Sequence, residues 1–255
     1  LNELGIIHAH PKLYIMPDDP KLGPFQKVFG NMLGMLEENP ANPKNDEKGY
    51  LGASEDVRSN KLFRELYKDH DNKIDSKEFA IARVFDILVG DWGKHDDNWK
   101  WVGFKENGKT LFRPMPRDRD HVFSRWDGIL PWLADREWAK ESGEDFNYKI
   151  VGLRSLMFQA RHLDRFLAAD LSKDDWIDAA KYVQNKITDE VIESAVKNMP
   201  IEVYEISGKE IESKLKERVK DLEIYAVDYY DMISSEVDIV GSNKKEYFDV
   251  IRNKN

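Results

Sequence analysis

The stretch that decides the fold is residues 89–101, which read Val-Gly-Asp-Trp-Gly-Lys-His-Asp-Asp-Asn-Trp-Lys-Trp. It ends an apolar run, and a second polar segment, residues 116–123, follows with the sequence Pro-Arg-Asp-Arg-Asp-His-Val-Phe. Asn107 and Gly108 lie between the two segments, and an Asn-Gly pair flanked by apolar and aromatic residues is a strong signal of a β-hairpin. The sequence therefore predicts a hairpin over residues 99–114.

A hairpin brings the residues at its open end together, because its two strands run out and back. Asn98 precedes the first strand, and Asp118 and Asp120 follow the second, so we expect these three side chains around one pocket. Asp91 and His95 are expected close by. Mg²⁺ prefers oxygen ligands and is commonly held by one or two side chains together with the phosphates of a substrate. The sequence thus predicts a magnesium site formed by Asn98 and Asp118.

Each polar segment also has a simpler interpretation. Acidic and amide side chains are common in turns, and Asp91, His95, Asp97 and Asn98 would then only form the polar end of a helix. Asp118 and Asp120 alternate with arginines, and this pattern is typical of an exposed ladder of ion pairs that contributes little to stability. The position of both segments at the two ends of one hairpin favours the functional interpretation.

Helices are predicted on the N-terminal side of the hairpin. Ser54 and Asp75 are each followed by acidic residues and then by apolar residues at helical spacing, so each is expected to begin a helix. The second of these helices is expected to end near Gly90. Its broad apolar face predicts a buried position.

The C-terminal part of the chain is predicted to be mostly helical from about residue 150 to residue 235. Ser172 and Thr188 are followed by acidic residues in the manner of helix caps. A long charged helix is expected from residue 207 through residue 230.

Short strands are predicted near both ends of the chain. Residues 12–16 and, despite two glycines, residues 27–37 are expected to be strands, and the alternating pattern of 237–250 around a Gly-Ser-Asn-Lys turn predicts a second hairpin. The fold class is therefore α+β. Three parts are expected: short strands in residues 1–38, a mostly helical body in 39–235 and a C-terminal β-hairpin in 236–255.

The composition limits the classes of function. The chain has 255 residues, of which 41% are hydrophobic, and its formal net charge is −9. An acidic chain is a poor partner for nucleic acid, whose phosphates require an excess of Lys and Arg, so no nucleic-acid binding is expected. The absence of cysteine excludes disulfides and cysteine-based zinc sites and leaves both cytoplasm and periplasm open. No run of about 18 apolar residues is present, so no transmembrane segment is expected.

The two polar segments resemble the catalytic segments of atypical kinases: phosphoinositide kinases, HipA-type bacterial kinases and secretory-pathway kinases. In those families a helix leads into Asp-Arg-His-x-x-Asn, and a hairpin separates this segment from Asp-x-Gly-x-x-Phe. The residues that match are His95, Asn98, Asp118 and Phe123.

Two positions depart from this pattern. Gly93 stands where the family has its catalytic aspartate, and Asp120 replaces the usual glycine. The missing aspartate would orient the attacking hydroxyl group. Asp91 and Asp120 are the candidates to take over that role.

The resemblance implies a kinase-like fold, represented mainly by its large lobe, with Mg²⁺ and ATP as cofactors. Asn98 and Asp118 would hold the metal, and His95 would brace the loop. The strands at Lys12–Met16 and Val28–Leu36 would be remnants of the small lobe. Glu37 and Glu38 would then form the hinge beside the nucleotide.

A second resemblance covers most of the chain. It is to an uncharacterised region of large bacterial outer-membrane-associated proteins, between a metallophosphoesterase domain and a membrane β-barrel. It implies a location in the bacterial cell envelope, periplasmic or outer-membrane-associated, with other domains of a larger envelope protein as partners. The residues that carry it are 5–11, 14–20, 90–101, 116–120 and 237–250.

Three functions follow as hypotheses. The first is a kinase-like domain that binds Mg-ATP or a related phosphate ligand and transfers its γ-phosphoryl group to an unidentified acceptor. The second is a catalytically degenerate structural module of an envelope protein, with Gly93 as the mark of lost activity. The third is a metal-dependent phosphohydrolase with two ions. Its ligands would come from Asp91, His95, Asp97, Asp118 and Asp120.

Overall fold

The computed structural model describes residues 1–43, 47, 49–126, 128–129, 143–237 and 239–249. Within these ranges the chain combines two small sheets with a larger number of helices, which confirms the predicted α+β class. The hydrophobic core lies where the helices meet one face of the larger sheet.

The N-terminal residues form a two-stranded sheet. β1 (Lys12–Ile15) pairs antiparallel with β2 (Leu33–Leu36), and the side chains of both strands are exposed. The strand predicted over 12–16 is confirmed.

The strand predicted over residues 27–37 is wrong in its first half. Gln26–Phe29 form the short helix α1, and the N–H of Gly30 closes it by donating to the carbonyl of Gln26 at 2.8 Å. Asn31 then adopts a left-handed φ of 61°, which turns the chain. The extended conformation therefore begins only at β2.

The larger sheet has four strands, β3 (Glu55–Arg58), β4 (Lys73–Ile74), β5 (Trp99–Glu106) and β6 (Lys109–Pro116), in the order β3-β5-β6-β4. Ser54 does not begin a helix as predicted, because its backbone joins this sheet. Its N–H donates to the carbonyl of Gly103 at 2.9 Å, and β3 continues the pairing with β5. Helix α2 (Ser59–Lys68) begins only after β3.

The predicted hairpin is confirmed as β5 and β6. Their register pairs Trp99 with Pro116 and Glu106 with Lys109, so the turn is Asn107-Gly108. Both turn residues have positive φ, 52° and 80°, as a two-residue turn with the twist of the strands requires. The open end of the hairpin thus places residues 98 and 117 side by side.

Gly108→Ala is expected to destabilise the fold by about 1–2 kcal/mol, because a Cβ is strained at this left-handed φ. The measurement is the free energy of unfolding in urea. Gly34→Ala in β2 is the matched control, since Gly34 does not have positive φ and a Cβ there meets no atom within 4 Å. An equal loss in both variants would contradict the assignment of this turn.

Helix α3 (Ser76–Val89) runs through the core and leads into the first polar segment. Its start is as predicted: the carboxylate of Asp75 accepts the N–H of Glu78 at 2.9 Å. Its end is also as predicted, at Gly90 with φ 73°. Phe79 in this helix packs against Trp99 and Trp101, whose ring centroids lie 5.1 and 5.8 Å away.

The C-terminal helices surround α3 and confirm the mostly helical prediction. Ser172 and Thr188 cap two of them, as predicted: Ser172 Oγ accepts the N–H of Asp175 at 3.3 Å, and Thr188 Oγ1 accepts that of Val191 at 3.4 Å. The helices are α4 (Leu153–Met157), α5 (Arg161–Leu167), α6 (Lys173–Lys186), α7 (Asp189–Val196), α8 (Ile201–Val203), α9 (Lys209–Lys220) and α10 (Leu222–Ile233).

The single long helix predicted from residue 207 to residue 230 is wrong, because the chain breaks at Asp221. The N–H of Asp221 bonds back to the carbonyl of Arg218 at 3.2 Å, which ends α9. The break redirects α10 so that its apolar residues pack on α6, including Tyr229 against Trp176 at 5.3 Å between ring centroids.

The expected C-terminal hairpin is not seen in the part of the tail that the structure describes. Residues 236–237 and 239–249 contain no strand, and residues 238 and 250–255 lie outside the described ranges. The tail instead packs against the loop after α2. The N–H of Asn243 donates to the carbonyl of Tyr67 at 2.7 Å, and Lys244 pairs with Asp69 and Asp71. Among the described helices, none combines the length and apolarity needed to cross a membrane.

Candidate functional site

The hairpin brings the two predicted metal ligands into contact. The Nδ2 amide of Asn98 donates to Oδ2 of Asp118 at 3.0 Å, although the residues are twenty positions apart. The N–H of Arg117 also donates to the carbonyl of Asn98 at 2.8 Å, which extends the strand pairing by one step. The predicted proximity of Asn98 and Asp118 is therefore confirmed, while metal binding stays a prediction.

His95 and Asn98 fix the first polar loop by capping each other. The N–H of His95 donates to Oδ1 of Asn98 at 2.8 Å, and the N–H of Asp97 donates to Nδ1 of His95 at 3.3 Å. These bonds close a short 3₁₀ turn over Asp96–Asn98. The side chain of Asn98 is buried by this arrangement, while His95 stays exposed. This geometry agrees with the expected role of His95 as a brace.

Asp118 has a strained backbone that a buried lysine holds in place. Its φ is 54°, in the left-handed region that aspartate tolerates better than most residues. The Nζ of Lys94 donates to the carbonyls of Arg117 and Asp118 at 2.6 and 3.1 Å. Lys94 is only 1% exposed, so these bonds tie the second polar loop to the first from inside the protein.

Asp91 lies beneath this lysine and does not face solvent. It is 1% exposed, and its Oδ2 lies 2.9 Å from the Nζ of Lys94. Burial and the nearby charge of Asp86 raise the pKa of Asp91, and burial lowers the pKa of Lys94. In this position Asp91 supports the loop through Lys94, and the structure places it away from any acceptor that approaches from solvent.

A buried ionic network continues from this pair into the core. Arg119 reaches inward and places its Nη1 2.5 Å from Oδ1 of Asp86 and 3.5 Å from Oδ2 of Asp91. Arg83 donates to the other oxygen of Asp86 at 2.5 Å and to Asp164 at 3.0 Å. The expected surface ladder is therefore wrong for Arg119, because its partners are core carboxylates one helix away.

The charge of Asp86 is maintained by its surroundings. Burial opposes its ionisation, but Arg119, Lys94 and Arg83 together outweigh that effect and hold the pKa of Asp86 below its ordinary value. At Asp86 the network thus stabilises a buried carboxylate by surrounding it with cationic side chains. Through Arg119 and Lys94 it supports the backbone on both sides of Asp118.

Gly93 is closed off by His121. A Cβ at position 93 would lie 2.1 Å from Nδ1, 2.7 Å from Cγ and 2.8 Å from Cε1 of the His121 ring. The ring also packs against Trp92, with 4.3 Å between centroids. The place that a side chain at position 93 would take is therefore filled by an imidazole.

Asp120 is an exposed member of the predicted site residues. Its side chain is 69% exposed, and its Oδ1 lies 2.8 Å from Nδ1 of His121. Within the described part of the chain, no hydrogen bond joins it to Asn98. Its partner is the imidazole beside Gly93.

The expected hinge lies next to the second polar loop. Glu37 pairs with Arg117, which also donates to Oδ1 of Asn39 at 3.0 Å. Glu38 accepts the N–H of His10 at 2.9 Å. Both carboxylates are thus bound by groups of the protein. Because Arg117 directly precedes Asp118, its contacts join this segment to the second polar loop.

The donor set fits a magnesium ion better than a zinc or two-metal site. Asp118 is exposed and keeps Oδ1 for a ligand, and Asn98 Oδ1 has a second lone pair beyond the one that His95 uses. Two such oxygens, completed by water and phosphate, are a common magnesium environment. Within the described part of the chain, no group of three or more His, Asp or Glu side chains is placed to hold a metal ion.

A separate cavity of about 520 Å³ lies between the end of α3, α7 and the N-terminal residues. Phe85, Val89 and Phe123 line it together with apolar residues of α7. Asn98 and Asp118 are not among the residues that line it.

Three residues that shape the site were not predicted from the sequence: Asp86, Lys94 and Arg119. A signal existed for one of them, since Arg83 and Asp86 interrupt the apolar face of α3 at a spacing that places both on one side of a helix. Charged residues on a buried face require partners. The sequence did not show that Arg119 would be that partner.

The comparisons with known proteins add no relative to this description. No family model matches the chain, and no curated protein and no solved structure matches it either. The interpretation of the site therefore depends on its own geometry.

Proposed function

We propose that the chain binds a magnesium complex of a nucleoside triphosphate, such as ATP, or a related phosphate ligand, at Asn98 and Asp118 in a kinase-like fold. The observation that carries this proposal is the 3.0 Å contact between these two side chains across the open end of the hairpin. The carboxylate of Asp118 is exposed there, while the backbone on both sides of it is fixed from the core.

The order of the elements supports the kinase-like part of the proposal. A buried helix, a polar loop, a hairpin and a second polar loop follow one another in the order that the resemblance to atypical kinases implies. Residues 1–38 would then be a remnant of the small lobe, and residues 37–40 the hinge. The contact between Glu37 and Arg117 brings that segment to the second polar loop.

Each residue of the site has a defined task under this proposal. Asn98 and Asp118 would hold the ion, which when bound neutralises charge on the phosphates and positions them for transfer. His95 fixes the orientation of Asn98 through its backbone N–H. Lys94 holds Asp118 in its left-handed conformation, and Asp91 holds Lys94.

A second candidate function is binding without turnover. It is favoured by Gly93, because the position that resembles the family's catalytic aspartate has no side chain and a Cβ there would meet His121 at 2.1 Å. In this case the domain would be a degenerate structural module. The location in a bacterial envelope protein, beside other domains, is likewise a proposal that rests on the second resemblance.

Mg-ATP is expected to raise the melting temperature of the chain, and Asp118→Asn is expected to abolish that rise. A ligand at 100 times its Kd stabilises a protein by about 2.7 kcal/mol. Asparagine also tolerates left-handed φ, so this variant removes the charge and leaves the backbone conformation accessible. The measurement is a thermal shift with and without Mg²⁺.

Asp120→Asn is the matched control, because it removes an exposed carboxylate two residues away that is not proposed to hold the metal. It should keep the ligand-induced rise. The proposal fails if millimolar ATP, GTP and pyrophosphate with Mg²⁺ leave the melting temperature unchanged. It also fails if Asp118→Asn retains the full effect.

A further inference from the structure

The side chain of His121 occupies the space that a side chain at position 93 would need, where the chain has a glycine. Three atoms of its ring stand within 2.8 Å of the position that a Cβ on Gly93 would occupy. The φ of Gly93 is not in the left-handed region, so the backbone itself accepts any residue there. The space in front of Gly93 is therefore specifically filled by the imidazole.

The imidazole is held in one orientation by its neighbours. Oδ1 of Asp120 lies 2.8 Å from Nδ1, and the ring packs on Trp92 at 4.3 Å between centroids. Ser124 fixes the backbone, since its hydroxyl donates to the carbonyl of His121 at 2.6 Å and accepts from Nε1 of Trp92 at 3.2 Å. A carboxylate beside Nδ1 favours the tautomer with its proton on that nitrogen, which leaves Nε2 with a free lone pair.

This imidazole belongs to the same loop as the proposed metal ligand. His121 follows Asp118 by three residues, and Gly93 directly precedes Lys94. The ammonium of Lys94 donates to the carbonyl of Asp118 at 3.1 Å, which joins the two loops at that point. The side chain of His121 is 40% exposed, so a molecule from solvent has access to it.

We propose that His121, oriented by Asp120, is the group that receives the proton of the phosphate acceptor, in place of a carboxylate at position 93. This inference rests on the proposed function, because it requires a nucleoside triphosphate at Asn98 and Asp118. The acceptor is a hydroxyl group, including that of water. As its oxygen bonds to the γ-phosphorus, its proton passes to Nε2, and the bond from phosphorus to the leaving diphosphate breaks with its electron pair.

This arrangement explains why the chain has Asp120 where the kinase pattern has a glycine. The carboxylate of Asp120 lies 2.8 Å from Nδ1 of the histidine next to it. The two departures from the kinase pattern, Gly93 and Asp120, then serve the same purpose, which is to place His121 in the site. The first leaves space for the imidazole, and the second orients it.

The test compares turnover with binding in the full chain. Turnover is the release of inorganic phosphate from Mg-ATP with water as acceptor, together with transfer of the γ-phosphate to the chain. Binding is the thermal shift described above. His121→Gln is expected to lower turnover at least 100-fold, about the contribution of a positioned general base, while the thermal shift is retained. Asp120→Asn should cause a smaller loss.

Rescue separates a chemical role from a structural one. His121→Ala leaves a space beside Gly93, so added imidazole is expected to restore part of the turnover without changing the melting temperature. His70→Gln is the matched control, because His70 also pairs with a neighbouring aspartate, Asp71 at 4.0 Å, but lies outside the proposed site. That variant should turn over ATP like the unmodified chain.

The outcomes distinguish this inference from the proposed function. Binding of Mg-ATP without any phosphate release or transfer would overturn the role of His121 and leave the binding site standing. Normal turnover in His121→Gln, or no effect of imidazole on His121→Ala, would do the same. Absence of Mg-ATP binding in the unmodified chain would overturn both.

Discussion

Asp86→Asn is expected to destabilise the fold by about 3–5 kcal/mol, which is the usual cost of removing one partner from a buried ion pair. Asp86 is fully buried, and its two oxygens accept from Arg83 and Arg119 at 2.5 Å each. The asparagine has nearly the same shape but carries no charge, and its amide N–H₂ would face one of the two guanidinium groups. Arg83 would keep its ion pair with Asp164 but lose the one with Asp86, and Arg119 would lose its contact at 2.5 Å.

The pH dependence identifies the cause of this loss. The pKa of Asp86 in the folded chain is below its ordinary value, so the unfolded chain binds the proton first. The stability that Asp86 contributes is therefore fully present above the unfolded pKa of about 3.9 and is lost as the pH falls through the folded pKa. The difference between the unmodified chain and Asp86→Asn should be constant from pH 5 upward, and it should shrink below about pH 4.

Urea unfolding at a series of pH values measures this difference. Asp231→Asn in α10 is the control, because Asp231 makes a single exposed ion pair with Lys173 at 2.7 Å. It should unfold at the same urea concentration as the unmodified chain at every pH. A small effect of Asp86→Asn near neutral pH, similar to that of the control, would contradict the ionised network described above.

The contact between Asn98 and Asp118 could be predicted from the sequence, but the buried ionic network beneath it could not. The proximity of Asn98 and Asp118 is a consequence of local pattern, because an Asn-Gly turn and two alternating strands fix the register of the hairpin. The support of Asp118 by Lys94 and Arg119 is not local. It depends on α3 lying beneath both loops, which only the packing of the core determines.

The wrong predictions at Ser54 and after residue 207 also concern elements that are fixed by tertiary packing. Ser54 has the residues of a helix start, but its backbone completes a sheet that is formed with residues fifty positions later. The charged helix after residue 207 has no helix-breaking residue at Asp221, yet the chain breaks there because α10 packs on α6. Tertiary contacts overrule local preference at both places.

Gly93→Asp is expected to destabilise the fold by about 3 kcal/mol, the upper part of the usual range for overpacking a filled site. The Cβ would lie 2.1 Å from the ring of His121, so the imidazole has to leave its contact with Trp92. We therefore do not expect this substitution alone to raise the proposed turnover, although it supplies the aspartate that the resemblance implies. The measurement is the free energy of unfolding, with turnover of Mg-ATP beside it.

His121→Gly should remove this obstacle. In Gly93→Asp/His121→Gly the new carboxylate has the space of the ring, so the double variant is expected to be more stable than the sum of the two single changes by about 2 kcal/mol. Gly34→Asp with His121→Gly is the matched cycle, because a Cβ at Gly34 meets nothing within 4 Å and the two changes should add.

Turnover of Mg-ATP tests whether a carboxylate at position 93 can replace the imidazole of His121. His121→Gly alone has neither an imidazole nor a carboxylate beside the proposed metal site and should be inactive. The double variant places a carboxylate there and should recover turnover to within about tenfold of the unmodified chain, because a carboxylate also accepts a proton in phosphoryl transfer. Additive stabilities would show that His121 does not fill the place of a residue-93 side chain. A stable double variant without turnover would contradict the proposed equivalence of the imidazole and a carboxylate at position 93.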